Sequence, residues 1–229
     1  MIENETAIII PVYNEAKVLR KVIENVRKKF YNVVCIDDGS SDASLDILKK
    51  CNVFILQHPF NIGQGAALQT GIEFAVTELN IKYVATFDSD GQHDISDILR
   101  LKKILIDDNL DVVLGSRFIK HGTSNISKFR KFILKLSVVF TRIVTGLNIT
   151  DSHNGLRIFS ISAAKKVKFI NYGMAHASEV FEIIKKNKMK FSEAPVNIHY
   201  SNYSLRKGQS LFNIINILHD LILKRFFKN

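Results

Sequence analysis

Apolar residues along the chain fall into two alternating patterns. Short continuous runs at residues 7–10, 33–36, 53–56, 83–87 and 112–114 are rich in β-branched side chains. Strands buried on both faces read this way. Between them, residues 16–30, 42–50, 65–79 and 95–108 carry apolar positions at helical spacing, with Val18, Val22, Ile23 and Val26 lining one face of the first. Alternation of this kind predicts an α/β fold, a mostly parallel sheet flanked by helices. Pro11, Pro59 and Pro195 all fall near predicted strand ends, and neither an internal repeat nor a low-complexity linker interrupts the pattern.

After Ser116 the rhythm changes. A basic amphipathic stretch covers residues 124–145, followed by a loop with Asp151, Asn154, Gly155 and Arg157. The pattern then predicts short helices near 162–167 and 177–187, a strand at 193–200, and a C-terminal amphipathic helix at 210–227 with a basic end. We read a single domain spanning 1–229, with a first half to about residue 117 and a specialised second half from about 118.

Composition narrows the partners. The chain has 229 residues, 46% of them hydrophobic, enough for a real core. Lys and Arg number 32 against 22 Asp and Glu, a net charge of +10 that favours an anionic partner. Lys120, Lys128, Arg130, Lys131, Lys135 and Arg142 form a run without an acidic residue, and the tail carries Arg206, Lys207, Lys224, Arg225 and Lys228. Both runs are interleaved with Phe, Ile, Leu and Val, which favours a membrane surface over a nucleic-acid groove. Lys135, Arg142 and Asp220 interrupt the best candidates for a spanning helix, and the first residues do not read as a signal peptide. Cys35 and Cys51 have no metal-ligand spacing and suit a reducing compartment. The expected location is the cytoplasm, peripheral on the membrane's cytoplasmic face.

The chemistry lies at the strand ends, where open α/β sheets bind ligands. The five apolar runs lead into Pro11-Val12-Tyr13-Asn14-Glu15, Asp37-Asp38-Gly39-Ser40-Ser41-Asp42, Asn61-Ile62-Gly63-Gln64-Gly65, Asp88-Ser89-Asp90-Gly91-Gln92-His93 and Gly115-Ser116-Arg117. Asp88 and Asp90, one residue apart, can share a hard cation such as Mg²⁺ or Mn²⁺, with Gln92 adding a neutral oxygen. Such an ion bridges a diphosphate and offsets the charge of its departure. The alternative is a polar turn that caps the next helix. An acidic residue after the second strand often receives bonds from a nucleoside, while Ser41 or Asp42 suits a helix cap. The glycines at 63 and 65 fit neither a dinucleotide fingerprint nor a phosphate loop, which counts against a dehydrogenase and a phosphate-loop kinase.

Together with Asp151-Ser152-His153-Asn154-Gly155-Leu156-Arg157 and Ser204-Leu205-Arg206-Lys207-Gly208-Gln209-Ser210, these motifs resemble, in order, those of family 2 inverting glycosyltransferases of the GT-A fold. The chain is similar to the dolichol-phosphate mannosyltransferase-like branch and to bacterial surface-polysaccharide transferases. The resemblance implies that Pro11, Tyr13, Glu15 and Asp38 hold the nucleoside, and Asp88 and Ser89 belong to the same donor site. It implies that Asp88, Asp90 and Gln92 place the metal, Asp90 closest. Arg117 would face the donor, Asp151 and Arg157 the acceptor side, and Arg206 and Lys207 the phosphates. Two positions depart from the pattern: Gln64 stands where some relatives carry Lys, and Asp94 where many have Pro.

The implied reaction transfers a sugar from a UDP- or GDP-sugar, with inversion, to a polyprenyl phosphate or a growing glycan. A hydroxyl acceptor needs a base, for which Asp151 is the candidate if burial raises its pKa. A phosphate acceptor is already anionic and needs cations instead, which Arg130, Arg206 and Lys207 could supply. An ion pair with Arg157 is the structural alternative for Asp151. His176 and Glu179 suit either the same cleft or a buried structural pair. A small membrane subunit is a candidate partner for the C-terminal helix. Competing readings are a nucleotidyltransferase and a non-catalytic module binding anionic membrane or nucleic acid.

Overall fold

The computed structural model describes residues 2–120, 123–124, 128–173 and 176–199, without the side chains of Thr123, Ser124, Lys128 and Arg130. The predicted C-terminal helix, Arg206 and Lys207 lie outside the described residues.

The first half follows the predicted alternation: β1 (Glu3–Val12), α1 (Ala16–Arg27), β2 (Phe30–Asp37), α2 (Ser44–Lys49), β3 (Phe54–Gln57), α3 (Gln64–Glu78), β4 (Tyr83–Thr86), α4 (Ile95–Asp107) and β5 (Val112–Ser116). The second half contains β6 (Thr123–Ser124), α5 (Lys128–Thr145), β7 (Arg157–Ser160), α6 (Ile161–Ala164), α7 (His176–Lys186), β8 (Phe191–Pro195) and β9 (Asn197–Ile198). The main sheet runs β3-β2-β1-β4-β7-β5-β8, and β6 pairs with β9 beside it. Only β7 is antiparallel to its neighbours in the main sheet, β4 and β5.

Alternate strand residues feed two cores, as the two-residue period of a strand requires. Ala7, Ile9, Val34, Ile36, Val84 and Phe159 pack with residues of α3, α6 and α7. Ile8, Ile10, Val33, Cys35, Ala85 and Ile158 pack on the other face with α1 and α4. Helix α1 buries Leu19, Val22, Ile23 and Val26, so Leu19 takes the place expected of Val18. Asp94 caps α4 by accepting from the Ser96 amide at 2.8 Å, so the residue that replaces Pro starts the helix by another route.

Three expectations are corrected. β3 is not buried on both faces: among the described residues it is the sheet's edge, bonded only to β2, and Phe54 is exposed. Strand β7 occupies part of what reads as a loop; four residues beginning with an arginine give too little pattern to mark a strand. The predicted strand at 193–200 is two short strands, β8 and β9, split at Val196.

Candidate active site

The five polar clusters meet at one edge of the sheet because parallel strands deliver their carboxyl ends to the same side. Direct hydrogen bonds tie the first four into a ring, while the fifth, at 115–117, bonds to the loop at 150–156. Ser89 Oγ donates to the Pro11 carbonyl at 2.8 Å. The Asn14 amide donates to Ser40 Oγ at 3.0 Å, and Asn14 Oδ1 accepts from the Ser41 amide at 2.8 Å. Asn14 adopts a left-handed backbone, φ 54°, a conformation Asn tolerates better than most residues. Asp42 accepts from the Ala16 amide at 3.1 Å and so serves the start of α1 as well as the turn before α2.

Asp38 is buried, and its two oxygens accept from the Ile62 and Gly63 amides at 3.0 and 2.8 Å. His58 Nδ1 lies 2.7 Å from Asp38 Oδ1, and Nε2 lies 3.0 Å from Thr70 Oγ1. Asp38 therefore anchors the glycine turn before α3. Gly63 there has φ 119°, and a Cβ would lie 2.8 Å from the Tyr172 carbonyl carbon. The neighbouring Asp37 has a buried oxygen, Oδ1, without a hydrogen-bond partner among the described residues. Pro11 and Glu15 are buried at the rim, and Tyr13 is 44% exposed beside them, enough to offer a ring face.

Asp88 stands at the centre of the ring. Its oxygens receive Gln64 Nε2 at 3.1 Å and face His93 Nε2 at 3.1 Å. Gln64, which replaces a Lys of the pattern, thus orients the carboxylate. The backbone of Gly155 closes over Asp88: a Cβ there would lie 2.8 Å from Oδ1 and collide with Oδ2. Thr86 Oγ1 fixes that approach by donating to the Gly155 carbonyl at 2.6 Å. Burial alone would raise the Asp88 pKa, but the His93 hydrogen bond and the charges of His93, His176 and Arg157 outweigh it and hold it below the usual value.

Asp90 behaves oppositely. Burial first, then the charge of Asp88, push its pKa up to about 6. Gln92 donates to it twice, from the backbone at 3.0 Å and from Nε2 at 2.6 Å. Gln92 thus contacts Asp90 through its amide nitrogen. Among the described residues no group of three or more His, Cys, Asp and Glu side chains is arranged to hold a metal ion. The donor set at Asp88 and Asp90 fits a hard cation that completes its shell with phosphate and water oxygens, as Mg²⁺ and Mn²⁺ do.

On the other side of Gly155 lies a buried charge network. Arg117 and Asp151 form a two-pronged pair: Nε to Oδ2 and Nη2 to Oδ1, both 2.7 Å, and the Arg117 amide adds a bond to Oδ2 at 3.1 Å. Burial pulls the Asp151 pKa upward, yet the Arg117 charge and hydrogen bonds bring it below the usual carboxylate value. Two expectations change here. Burial does not produce the upward shift a base needs, and the partner of Asp151 is Arg117, not Arg157. Arg157, at the start of β7, is buried and donates to the Ala177 carbonyl at 3.2 Å. Burial lowers its pKa to about 10, with the charges of Asp88 and Asp151 opposing the shift. It is a buried cation that interacts electrostatically with both carboxylates. The side chain of Arg130, like Arg206 and Lys207, lies outside the described residues.

His153 and His176 join the same network, and burial lowers the pKa of each to about 4, with the positive charge of Arg157 adding to the lowering in both. His176 Nδ1 faces the Gly173 carbonyl at 2.9 Å, while Glu179 accepts from the Ile170 and Asn171 amides, so the two do not form a pair. Sequence reasoning marked Gln64 only as a departure from the family pattern and gave no role to His93 or His153. His93 and His153 stand inside quoted motifs, and their neighbours' carboxylates were the available signal.

The sequence profile of Glycosyl transferase family 2 matches residues 7–168. UDP-N-acetylglucosamine--dolichyl-phosphate N-acetylglucosaminyltransferase of Methanococcus voltae is 32% identical over 244 residues, covering 96% of both chains. Polyprenol monophosphomannose synthase of Mycolicibacterium smegmatis is 26% identical, over 71% of this chain and 64% of that one. Among solved structures, Mycobacterium tuberculosis glucosyl-3-phosphoglycerate synthase in complex with Mn²⁺, UDP and phosphoglyceric acid superposes with a TM-score of 0.70. It shares 14% identity and covers 94% of this chain and 77% of its own. That likeness establishes the GT-A fold.

Proposed function

Because this chain belongs to glycosyl transferase family 2, we propose that it moves a sugar from a nucleotide-sugar donor to a polyprenyl phosphate, with inversion at the anomeric carbon. The observation that carries the acceptor choice is the Arg117–Asp151 pair. A hydroxyl acceptor needs a base to take its proton, and Asp151, held by two prongs of Arg117, is a poor one. A phosphate monoester is ionised near neutral pH and needs no base. The relatives from Methanococcus voltae and Mycolicibacterium smegmatis, named for dolichyl-phosphate and polyprenol acceptors, support the same choice.

In this reading Tyr13 stacks on the base, and Pro11, Glu15 and Ser89 shape the nucleoside pocket. Asp37 offers the buried acceptor oxygen at that strand end, and Asp38 acts by holding the turn at Ile62 and Gly63. Asp88 and Asp90 would hold Mg²⁺ or Mn²⁺, which neutralises charge on the leaving diphosphate. Gln64 and His93 orient Asp88, and Gln92 orients Asp90. The attacking phosphate oxygen forms the bond to the anomeric carbon as the bond to the diphosphate breaks, in line. Asp151 and Arg117 keep the acceptor-side loop in place, and Arg157 balances the charges of Asp88 and Asp151. Arg130, Arg206 and Lys207 are the candidate contacts for the acceptor phosphate, and a UDP- or GDP-sugar the candidate donor. No helix among the described residues is long and apolar enough to cross a membrane; the basic amphipathic stretch at 124–145 supports peripheral access to a lipid acceptor.

The test is an acceptor comparison. Labelled UDP- and GDP-sugars with Mn²⁺ are offered a short-chain polyprenyl phosphate, the matching polyprenol, and an oligosaccharide. Label entering the polyprenyl phosphate alone is expected; transfer to the oligosaccharide in preference contradicts the reading.

A further inference from the structure

Helix α5 carries two opposite apolar faces. Leu134, Val138, Thr141 and Thr145 are buried against the body of the protein. Phe129, Phe132, Leu136, Val139 and Ile143 fall at alternating three- and four-residue steps, which places them on one stripe about half a turn away. All five are between 49% and 74% exposed, so the stripe is open along its length. Monomeric proteins rarely leave so continuous an apolar surface unpartnered. Lys131, Lys135 and Arg142 flank it on one side, all exposed, although Arg142 also donates through Nε to the Ile149 carbonyl at 2.6 Å. No acidic residue occurs between Asp111 and Asp151.

We propose that the exposed stripe of α5 is a lipid-docking surface, with the five apolar side chains entering the headgroup boundary of a bilayer and Lys131, Lys135 and Arg142 facing anionic lipid. Apolar area and positive charge together are what hold an amphipathic helix in that plane. A second copy of the chain suits the surface less well, since a two-fold contact would bring the same basic flank against itself with no acidic residue in the segment to offset it.

The buried face of the same helix leads to the site. Ser137 Oγ is 2.7 Å from Ser152 Oγ and 3.0 Å from His153 Nδ1, in the loop that carries Asp151. With a helix about 10 Å across, docking the stripe sets that loop roughly one helix diameter from the lipid. The placement suits a lipid-phosphate acceptor, but the surface assignment does not depend on the acceptor's identity.

The full chain is mixed in EDTA, without donor or acceptor, with vesicles of phosphatidylcholine alone or with added phosphatidylglycerol, and the bound fraction is measured by sedimentation. Binding to the anionic vesicles is expected. The combined Phe132→Ser, Leu136→Ser and Ile143→Ser variant should lose roughly tenfold or more of that binding at unchanged thermal stability, because these side chains support no core. Lys131→Glu with Lys135→Glu should abolish the preference for phosphatidylglycerol. Serine variants that bind as well as the parent overturn the assignment. So does a parent that binds no vesicles and sediments as a dimer that the serine variant splits, because the stripe would then belong to a second copy. Transfer to a short water-soluble polyprenyl phosphate is read separately, so failure of either idea is visible without the other.

Discussion

Replacing Asp90 by Asn should stabilise the cation-free protein and remove its response to divalent cation. Asp90 has its pKa raised from 3.8 to about 6, by burial and by the charge of Asp88. The folded state therefore binds this proton more tightly than the unfolded chain does. Stability from this group is highest below the unfolded value, falls as pH rises through the window from about 4 to 6, and stays low above it. A shift of about 2.2 units at about 1.36 kcal/mol per unit is a penalty on the order of 3 kcal/mol at neutral pH. Asn removes the charge but disturbs the bond from Gln92 Nε2, a loss of about 1 kcal/mol. The net gain of about 2 kcal/mol corresponds to a rise in Tm of roughly 4–8 °C for a domain of this size. The assay is thermal unfolding in EDTA at pH 4.5 and 7.5, read as variant minus parent so that other titrations cancel. The difference should be small at the lower pH and full at the higher. With Mn²⁺ and a nucleoside diphosphate the order should reverse, since the parent gains binding energy that the variant lacks. An Asp90→Asn protein no more stable than its parent at pH 7.5 in EDTA would refute the like-charge pairing of Asp88 and Asp90.

Gly155→Ala should cost about 1–3 kcal/mol of stability and reduce transfer at least about tenfold, because its Cβ drives into the Asp88 carboxylate; melting and initial rates check both. Arg117→Ala strands a buried carboxylate and should cost about 3–5 kcal/mol, much of it recovered in Arg117→Ala with Asp151→Ala, measured by denaturant unfolding. His176 has its pKa depressed to about 4, so the unfolded chain binds more protons and its contribution is lost as pH falls from 6.5 towards 4. His176→Asn, whose amide can still reach the Gly173 carbonyl, should flatten the acid side of the stability profile; an unchanged profile would contradict the depressed value.

The donor half of the site was legible because it is local: each strand is a short apolar run, and its polar end follows at once in sequence. Asp88 and Asp90 needed no tertiary information to be noticed. Their division of labour did, because Gln64, at the start of α3, and His93 and Gly155, from two separate loops, set the two carboxylates apart only when the sheet assembles. The acceptor half was less legible for the same reason. Asp151 looked like a base or a partner of Arg157, six residues away, whereas its partner Arg117 lies 34 residues back in the sequence. Strand β7 escaped notice because its stability comes from β4 and β5 on either side, not from its own four residues. The basic amphipathic run was visible as a pattern, but which apolar face of α5 is buried and which is open depends on the packed structure.

The most direct test is the configuration and acceptor of the product, by NMR of the glycolipid formed from an α-linked nucleotide-sugar and a short-chain polyprenyl phosphate with Mn²⁺. A β-linked sugar on the polyprenyl phosphate, formed by the parent, suppressed by EDTA and absent with Asp90→Asn, is predicted. An α-linked product, or the same yield from Asp90→Asn, would contradict an inverting transfer centred on Asp88 and Asp90.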